Sequence, residues 1–380
     1  LLVSVVYSEI MMKGGNRKHF ESLLINNLLA SLKGGDFKVR KGPGRILLSS
    51  ENFSDAAFVR EAVTRTFGVD YVSFPRRARA DIGDIQDAVM AGSLALKGKA
   101  IRVDTKRADK GFPLTSPQVN SIVGKALVEA GSTVDLDNPD ITISIEILPK
   151  EALIFTERFR GPSGLPVGSS GNVLSLLSGG IDSPVSSWML MKRGCVVDFL
   201  HLHSSPKNRD VLDSKMMRIL KILRDYSPSP LRIHVAPYSE FYKASMSMDT
   251  KIELVVFRRF LFHLANALAR EQRYKGVVSG DSVGQVASQT LDNIFASDEA
   301  SAIPVFRPLA GFNKQEIIDL AMRIGTYAPS IEPYKDCCSL VAQKRPSTHV
   351  RLEEAKKAEG EIGIAGIVEK TLEQSEVFEI

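Results

Sequence analysis

The stretch Leu176-Leu177-Ser178-Gly179-Gly180-Ile181-Asp182-Ser183-Pro184 joins an apolar run, a small-residue turn with one carboxylate and two hydroxyls, and the start of a helical pattern. It reads as a phosphate-gripping loop at the end of a strand. Two glycines let the backbone turn where a side chain would clash, so N–H groups at the helix start can point at anionic oxygens. The hydroxyls of Ser178 and Ser183 are expected to act as further donors. No Gly-Lys-Ser/Thr occurs here, which excludes the triphosphatase loop that sets a lysine on the terminal phosphates. With donors and a single Asp, the loop suits a pyrophosphate that leaves, and Asp182 is read as free to position a magnesium ion. The expected chemistry is cleavage of ATP between its α and β phosphates. A lone Ser-Gly-Gly is more often an ordinary turn; the complete string between a strand and a helix favours the loop.

Such a loop needs neighbouring strand ends around it. From Asn172 onward strands (173–177, 195–203, 231–237, 276–279) alternate with helices (184–192, 210–226, 251–270), the sign of an α/β domain with a doubly wound parallel sheet. Ligands in such sheets sit beyond the carboxyl ends of the strands. His201-Leu202-His203 and Ser279-Gly280-Asp281 fall at two such ends, so Leu176, Leu177, His201, Leu202 and Gly280 are placed around an adenine and ribose slot. Gly280 is expected to allow close approach. His201 and His203 are read as facing opposite sides of their strand, and either alone is more often a core imidazole. Gln285 and Gln289 are expected on one helix face, supplying amides. Arg258 and Arg259 lie in an apolar helix and need anionic partners, either a phosphate or a structural carboxylate.

The 380 residues suit two or three domains, and a hydrophobic fraction of 44% supplies real cores. Residues 1–52 read as strand, helix, strand. Residues 53–158 mix helices (54–66, 82–96, 116–130) with strands (near 72, 100–104, 141–147) in an α+β manner. Residues 159–171, rich in Gly and Pro, have the composition of a linker to a last domain over 172–380. No membrane span and no signal peptide are legible, so a soluble, cytoplasmic chain is expected. Residues 1–110 hold 19 Lys and Arg against 12 Asp and Glu, while the remainder is close to neutral. Basic clusters such as 38–41, 76–79 and 102–110 fit a polyanion partner, with Arg102, Lys106, Arg107 and Lys110 as RNA-phosphate candidates. Basic runs are also commonly just solvated faces.

Three cysteines, Cys195, Cys337 and Cys338, make neither a disulfide framework nor a zinc pair. Cys195 reads as a buried small hydrophobe. The Cys337-Cys338 doublet sits in a polar stretch where Lys335, Lys344 or Arg345 would stabilise a thiolate, although adjacent cysteines are more often incidental.

Together these motifs resemble the tRNA 4-thiouridine synthetase family, also called tRNA sulfurtransferases. The resemblance runs from Ser8-Glu9-Ile10, Lys13-Gly14 and Asn16-Arg17-Lys18 through Lys106 to Lys110 and Pro113 to Pro117. It continues in Gly168 to Gly171, Leu176 to Pro184, Gly284 to Thr290, Arg307-Pro308-Leu309 and Asp336-Cys337-Cys338. It implies a ferredoxin-like domain over 1–52, a THUMP RNA-binding domain over 53–158, and an ATP pyrophosphatase domain of adenine nucleotide alpha hydrolase-like fold over 172–380. It implies adenylation of uridine 8 in tRNA and replacement of O4 by persulfide sulfur, with ATP and Mg²⁺. Nucleotide contacts carry over to Leu176, Leu177, His201, Leu202, Arg258, Gly280 and Gln289, with Asp182 in the Ser178–Ser183 loop. The essential cysteine matches Cys338, with Cys337 left open. Implied partners are tRNA, a pyridoxal phosphate-dependent cysteine desulfurase, the sulfur carrier of thiamine synthesis in a secondary thiazole role, and a second copy in a homodimer. The sequence ends at Ile380 without the rhodanese-like domain that holds the second cysteine of longer members, which leaves the persulfide route open. Two other readings remain: a tRNA-directed ATP pyrophosphatase or ligase with a nitrogen nucleophile, and a tRNA-binding module without turnover.

Overall fold

The computed structural model describes residues 1–334, 337–342 and 346–380, with the side chains of Cys338, Ser339 and Ala342 outside that description. Compactness divides the chain into one unit of residues 1–12, 32–64 and 69–163 and another of residues 13–31, 65–68 and 164–380.

The first unit holds the strands β1 (Leu2–Val6), β2 (Lys38–Gly42), β3 (Arg45–Ser49), β4 (Tyr71–Ser73), β5 (Arg76–Arg79), β6 (Ala100–Arg107), β7 (Thr133–Val134), β8 (Ile141–Ile147), β9 (Glu151–Phe155) and β10 (Phe159–Arg160). They form two sheets, β10-β4-β1-β3-β2 and β5-β9-β8-β6-β7. The first is antiparallel throughout. It draws strands from both sides of residue 52 and recruits Phe159–Arg160 from the Gly- and Pro-rich stretch. In the second sheet, β6 shows the period of two that makes one face of a strand apolar. Ile101, Val103 and Thr105 are buried while Arg102, Asp104 and Lys106 alternate with them. Of the helices α1 (Arg17–Ser31), α2 (Ala56–Arg65), α3 (Ile82–Met90) and α4 (Ser116–Glu129), the last two cover this sheet through Ile85, Val119 and Val123. The helix expected over 82–96 stops at Met90, two residues before Gly92, and resumes only as a 3-10 turn. Helix α1 groups with the second unit, where Asn27 Nδ2 donates to Val167 O at 3.0 Å.

The second unit is built on β11 (Asn172–Leu176), β12 (Val196–His203), β13 (Arg232–Pro237), β14 (Val277–Val278), β15 (Val305–Phe306) and β16 (Glu376–Glu379). Their order is β15-β14-β11-β12-β13-β16, parallel except for the antiparallel edge strand β16. The connecting helices are α5 (Asp182–Lys192), α6 (Lys215–Arg224), α7 (Ser239–Ser245), α8 (Glu253–Gln272), α9 (Leu291–Asp298), α10 (Lys314–Ile324), α11 (Tyr327–Ser330), α12 (Cys337–Ala342), α13 (Leu352–Ile362) and α14 (Ile364–Glu373). The helix expected over 210–226 begins as a 3-10 turn and restarts where the Ser214 hydroxyl caps Met216 N–H. Alternate residues of the central strands feed two cores. Leu174, Leu200 and Leu202 pack with Phe257, Phe260 and Phe262 of α8, while Val173, Val197 and Phe199 pack with Val185, Trp188, Ile219 and Ile317. Each such side chain contributes roughly 1.5–3 kcal/mol by leaving water. From β11 the chain proceeds to β12 and β13 on one side and then to β14 and β15 on the other. The switch point therefore lies between β11 and β14, and a crevice opens at their carboxyl ends.

Candidate active site

The loop after β11 is held by bonds that no single stretch of sequence reveals. Leu177 N–H donates to Leu200 O at 2.9 Å, and Leu177 O accepts from His201 Nδ1 at 2.8 Å. The carbonyl can only accept, so Nδ1 carries the hydrogen, and Nε2 lies 2.9 Å from the Tyr334 hydroxyl. The Ser183 hydroxyl, expected from sequence to be a phosphate donor, is instead engaged within the loop. Its Oγ accepts Ser178 N–H at 3.0 Å and lies 3.1 Å from Ser178 Oγ, because the loop's own amide needs a partner once it leaves the sheet. Ser178 Oγ in turn accepts Gly180 N–H at 3.3 Å. A Cβ on Gly280 would stand 2.8 Å from Ser183 N and 3.0 Å from Asp182 C, so the end of β14 rides directly over the start of α5. The close approach that this glycine permits is backbone on backbone. A Cβ on Gly179 would meet Tyr334 Cδ1 at 2.8 Å and Lys215 Cε at 3.3 Å.

Charge enters the crevice from distant segments. Asp182 is not a free carboxylate: Lys314 Nζ donates to it at 2.6 Å and Gln285 Nε2 at 3.0 Å. Lys314 opens α10, where the Asn313 and Glu316 capping box fixes the helix start. That box was the one signal available, and it marks a helix rather than a site. Lys215, buried, donates to the carbonyls of Ser330 at 2.8 Å and Glu332 at 2.7 Å and lies 5.7 Å over the Tyr334 ring. A loop without its own lysine thus has two lysines beside it.

Arg258 takes a structural carboxylate, the second of the two partners left open. Its Nη2 donates to Asp281 Oδ2 at 2.5 Å, and Arg307 Nε reaches the same oxygen at 3.0 Å. Ser279 Oγ donates to Asp281 at 2.8 Å and Gln289 Nε2 at 3.4 Å. Burial pushes the Asp281 carboxyl up, but Arg258, Arg307 and the Ser279 bond outweigh it and hold the group below the usual carboxylate range. Arg259 points elsewhere, donating to Glu359 at 2.8 Å and Glu299 at 3.0 Å. Gln285 and Gln289 do not share a helix face. Gln289 ends a 3-10 turn that Gln285 precedes, and their amides serve different carboxylates. The buried atoms Gln285 Oε1, Gln289 Oε1 and Arg258 Nε have no hydrogen-bond partner among the described residues. Two acceptors and one donor are left for a polar ligand.

His201 and His203 share a face of β12, because residues two apart in a strand point the same way. His203 Nε2 lies 2.7 Å from Asn208 Oδ1. Leu202 O accepts from the Cys337 thiol at 3.4 Å. Leu176, Leu177, Leu202, Phe257 and Cys337 line an apolar cavity of about 40 Å³, which accommodates a water and not a purine. Cys337 is buried, 1% exposed. The Cys338 side chain and the expected thiolate partners Lys335, Lys344 and Arg345 lie outside the described residues. Cys195 packs in the core, and burial pushes its thiol up.

Among the RNA-phosphate candidates, Lys106 and Lys110 are exposed. Arg107 Nη1 instead donates to Phe112 O at 3.1 Å and Leu114 O at 2.8 Å, and Arg102 Nη1 to Leu136 O at 3.2 Å. Part of the basic surplus is neutralised internally, since Arg40 and Arg77 share Glu151 and Arg79 pairs with Asp84. Among the described residues, no group of three His, Cys, Asp or Glu could hold a metal, and no helix is long and apolar enough to cross a membrane.

A doubly wound sheet with a Gly-Ser loop at its switch point, following two α+β sheets, defines a nucleotide-loop domain attached to modules with outward basic strands. Family models match in the same order: a ThiI ferredoxin-like domain over residues 2–73, a THUMP domain over 79–157, and Thiamine biosynthesis protein (ThiI) over 168–364. The chain is 35% identical to a probable tRNA sulfurtransferase of Caldanaerobacter subterraneus, covering 99% of this chain and 98% of that one. It is 37% identical to one from Moorella thermoacetica, covering 99% and 97%. A crystal structure of a 4-thiouridine synthetase–RNA complex with bound ATP superposes with a TM-score of 0.87 at 32% identity, covering 100% and 99%. This chain belongs to the ThiI family of tRNA sulfurtransferases, with its ferredoxin-like, THUMP and nucleotide-loop domains. Pyrococcus horikoshii PH1313, at 24% identity and a TM-score of 0.66, shares the fold.

Proposed function

We propose that this chain is an ATP-dependent tRNA sulfurtransferase that adenylates O4 of uridine 8 and replaces that oxygen with sulfur. One observation carries the reading. Gly280 presses on the start of α5, so the Ser178–Ser183 loop, the Asp182–Lys314 pair and the Arg258–Asp281–Gln289 cluster converge on the switch-point crevice. The unpartnered Gln289 Oε1 and Arg258 Nε suit a base with an exocyclic amine and ring nitrogens. The base slot beside Leu176 and Leu202 must widen to admit it.

The mechanism divides between binding and leaving-group chemistry. Loop amides and Lys314 stabilise negative charge as O4 bonds to the α phosphorus and pyrophosphate departs. A carbonyl oxygen is a poor leaving group. Once it carries AMP, sulfur attacks C4, the C4–O4 bond breaks, and the oxygen leaves on AMP. Asp182 would hold Mg²⁺ on exchanging its present bond to Lys314 for the ion, which would supply charge neutralisation. We assign the sulfur-bearing thiol to Cys338, since Cys337 is interior and its thiol is bonded to Leu202 O. A persulfide on Cys338 that attacks directly needs another thiol to cleave the resulting S–S bond. The proposed partners are tRNA, a cysteine desulfurase, the thiamine sulfur carrier in a secondary role, and a second copy of the chain, in the cytoplasm.

The deciding assay is pyrophosphate release with tRNA and sulfide present together or singly. Release that requires tRNA and turns over repeatedly only with sulfide supports the reading; ammonia substituting for sulfide, or tRNA binding without release, overturns it. Cys338→Ser is expected to abolish 4-thiouridine, read by its near-ultraviolet absorbance, while Cys337→Ser retains it.

A further inference from the structure

The chain leading into the cysteine doublet is fastened to the nucleotide side of the sheet at three points. Lys215, buried at the start of α6, donates to Ser330 O at 2.8 Å and Glu332 O at 2.7 Å. Tyr334 comes next, half-buried against the core beneath α5. Its Cδ1 would stand only 2.8 Å from a Cβ on Gly179, so the ring lies directly on the backbone of the loop. Its hydroxyl lies 2.9 Å from His201 Nε2, and Lys215 Nζ stands 5.7 Å from its ring centroid. The third point is Cys337, whose thiol donates to Leu202 O, one residue along β12 from His201.

Tyr334 thereby touches both the glycine turn of the loop and the histidine that holds the turn's entry, since His201 Nδ1 bonds to Leu177 O at 2.8 Å. Cys338 follows it by four residues, so chain length alone keeps the Cα atoms of the two within about 14 Å. The charged groups assigned to adenylation lie apart from this contact. Asp182 is bonded to Lys314 and Gln285, and neither donor engages Tyr334.

We propose that Tyr334 is a positioning residue for sulfur transfer: resting on Gly179 and bonded to His201, it sets the register of the cysteine segment on the nucleotide loop, so that sulfur on Cys338 meets C4 while O4 still carries AMP. This rests on the reading of Cys338 as the sulfur carrier. In that step the terminal persulfide sulfur, as its anion, bonds to C4, and the C4–O4 bond breaks with its electron pair leaving on AMP. Cys338 stays joined to the base through an S–S bond. An added thiolate then takes Cys338 into a mixed disulfide, and 4-thiouridine leaves, regaining from water the N3 proton lost on adenylation. The step demands that two atoms held by different segments meet within bonding reach, and small misplacements are costly there.

The test uses the full chain, loaded with persulfide by a cysteine desulfurase and L-cysteine and then freed of both. Wild type and variants matched in persulfide content are mixed with tRNA and ATP labelled at the α phosphate, and the single turnover is quenched with dithiothreitol. Tyr334→Ala is expected to form 4-thiouridine at least about tenfold more slowly than wild type, while RNA-bound AMP appears within about threefold of the wild-type rate and persists. Tyr334→Phe, which keeps the ring on Gly179, should recover most of the transfer rate. Wild-type transfer in Tyr334→Ala overturns the proposal. So does a loss of RNA-bound AMP in parallel with 4-thiouridine, which would make Tyr334 a part of the nucleotide site or of the fold. Formation of 4-thiouridine by Cys338→Ser under the same protocol would instead remove the reading of the sulfur carrier on which the proposal rests.

Discussion

Asp198 and Asp281 are both buried carboxylates of the same sheet, each bonded to arginine, and they do different things. Asp198 sits in the amino half of β12. It accepts Arg232 Nη2 at 2.6 Å and the Tyr274 hydroxyl at 2.7 Å, and His234 Nε2 lies 3.1 Å from that hydroxyl. Burial and the bond to Asp198 push the Tyr274 phenol far above its ordinary range, while burial holds His234 below its own. No buried side-chain atom of this group is left without a partner among the described residues. Around Asp281, beyond the carboxyl end of β14, Gln289 Oε1 and Arg258 Nε are left over. A closed network reads as stability and an incomplete one as a binding site. Strand polarity, more than residue type, separates them.

Substitutions at the two ends should therefore fail in different ways. The largest effect is expected at the loop: Asp182→Asn and Lys314→Met should each lower pyrophosphate release about 100-fold, roughly 2.7 kcal/mol of transition-state stabilisation, with unchanged circular dichroism. Turnover near wild type in either would dissolve the distinction. Asp198→Asn should cost about 2 kcal/mol in urea unfolding through two charge-assisted bonds, yet retain turnover per folded molecule; a stable but inactive variant would move the catalytic crevice. Gly280→Ala should weaken ATP binding about tenfold by calorimetry, because the added methyl displaces the start of α5, roughly 1.4 kcal/mol. Wild-type affinity would show that the junction has slack.

The smallest effect concerns pH. Asp281 titrates lower in the folded chain than its unfolded value of about 3.9, so its contribution is fully present above that value and is lost as pH falls through the folded one. Acid unfolding of Asp281→Asn should accordingly be less steep below about pH 4 than that of the wild type. Parallel acid titrations of the two, followed by fluorescence, decide it.

Much of this was legible in the chain. The parallel strands, the loop and the strand-end positions His201 and Gly280 follow from apolar runs of strand length punctuated by glycine and serine. Cys195 as a core residue was also readable. Lys314, Lys215 and Tyr334 were not. They lie 132, 33 and 152 residues after Asp182 in segments whose local pattern speaks only of helix starts and turns. The Ser183 hydroxyl was assigned to a ligand although it has a nearer partner within the fold, and Gln285 was set on a helix face with Gln289 although its amide serves Asp182.

Local physics determined where a nucleotide loop could form, because backbone freedom and strand periodicity depend on neighbours a few residues apart. Which charges meet that loop and which carboxylate is closed off were decided only by tertiary structure. Electrostatic and packing partners come from whatever the folded sheet brings within a few ångströms, and sequence separation sets no limit on that.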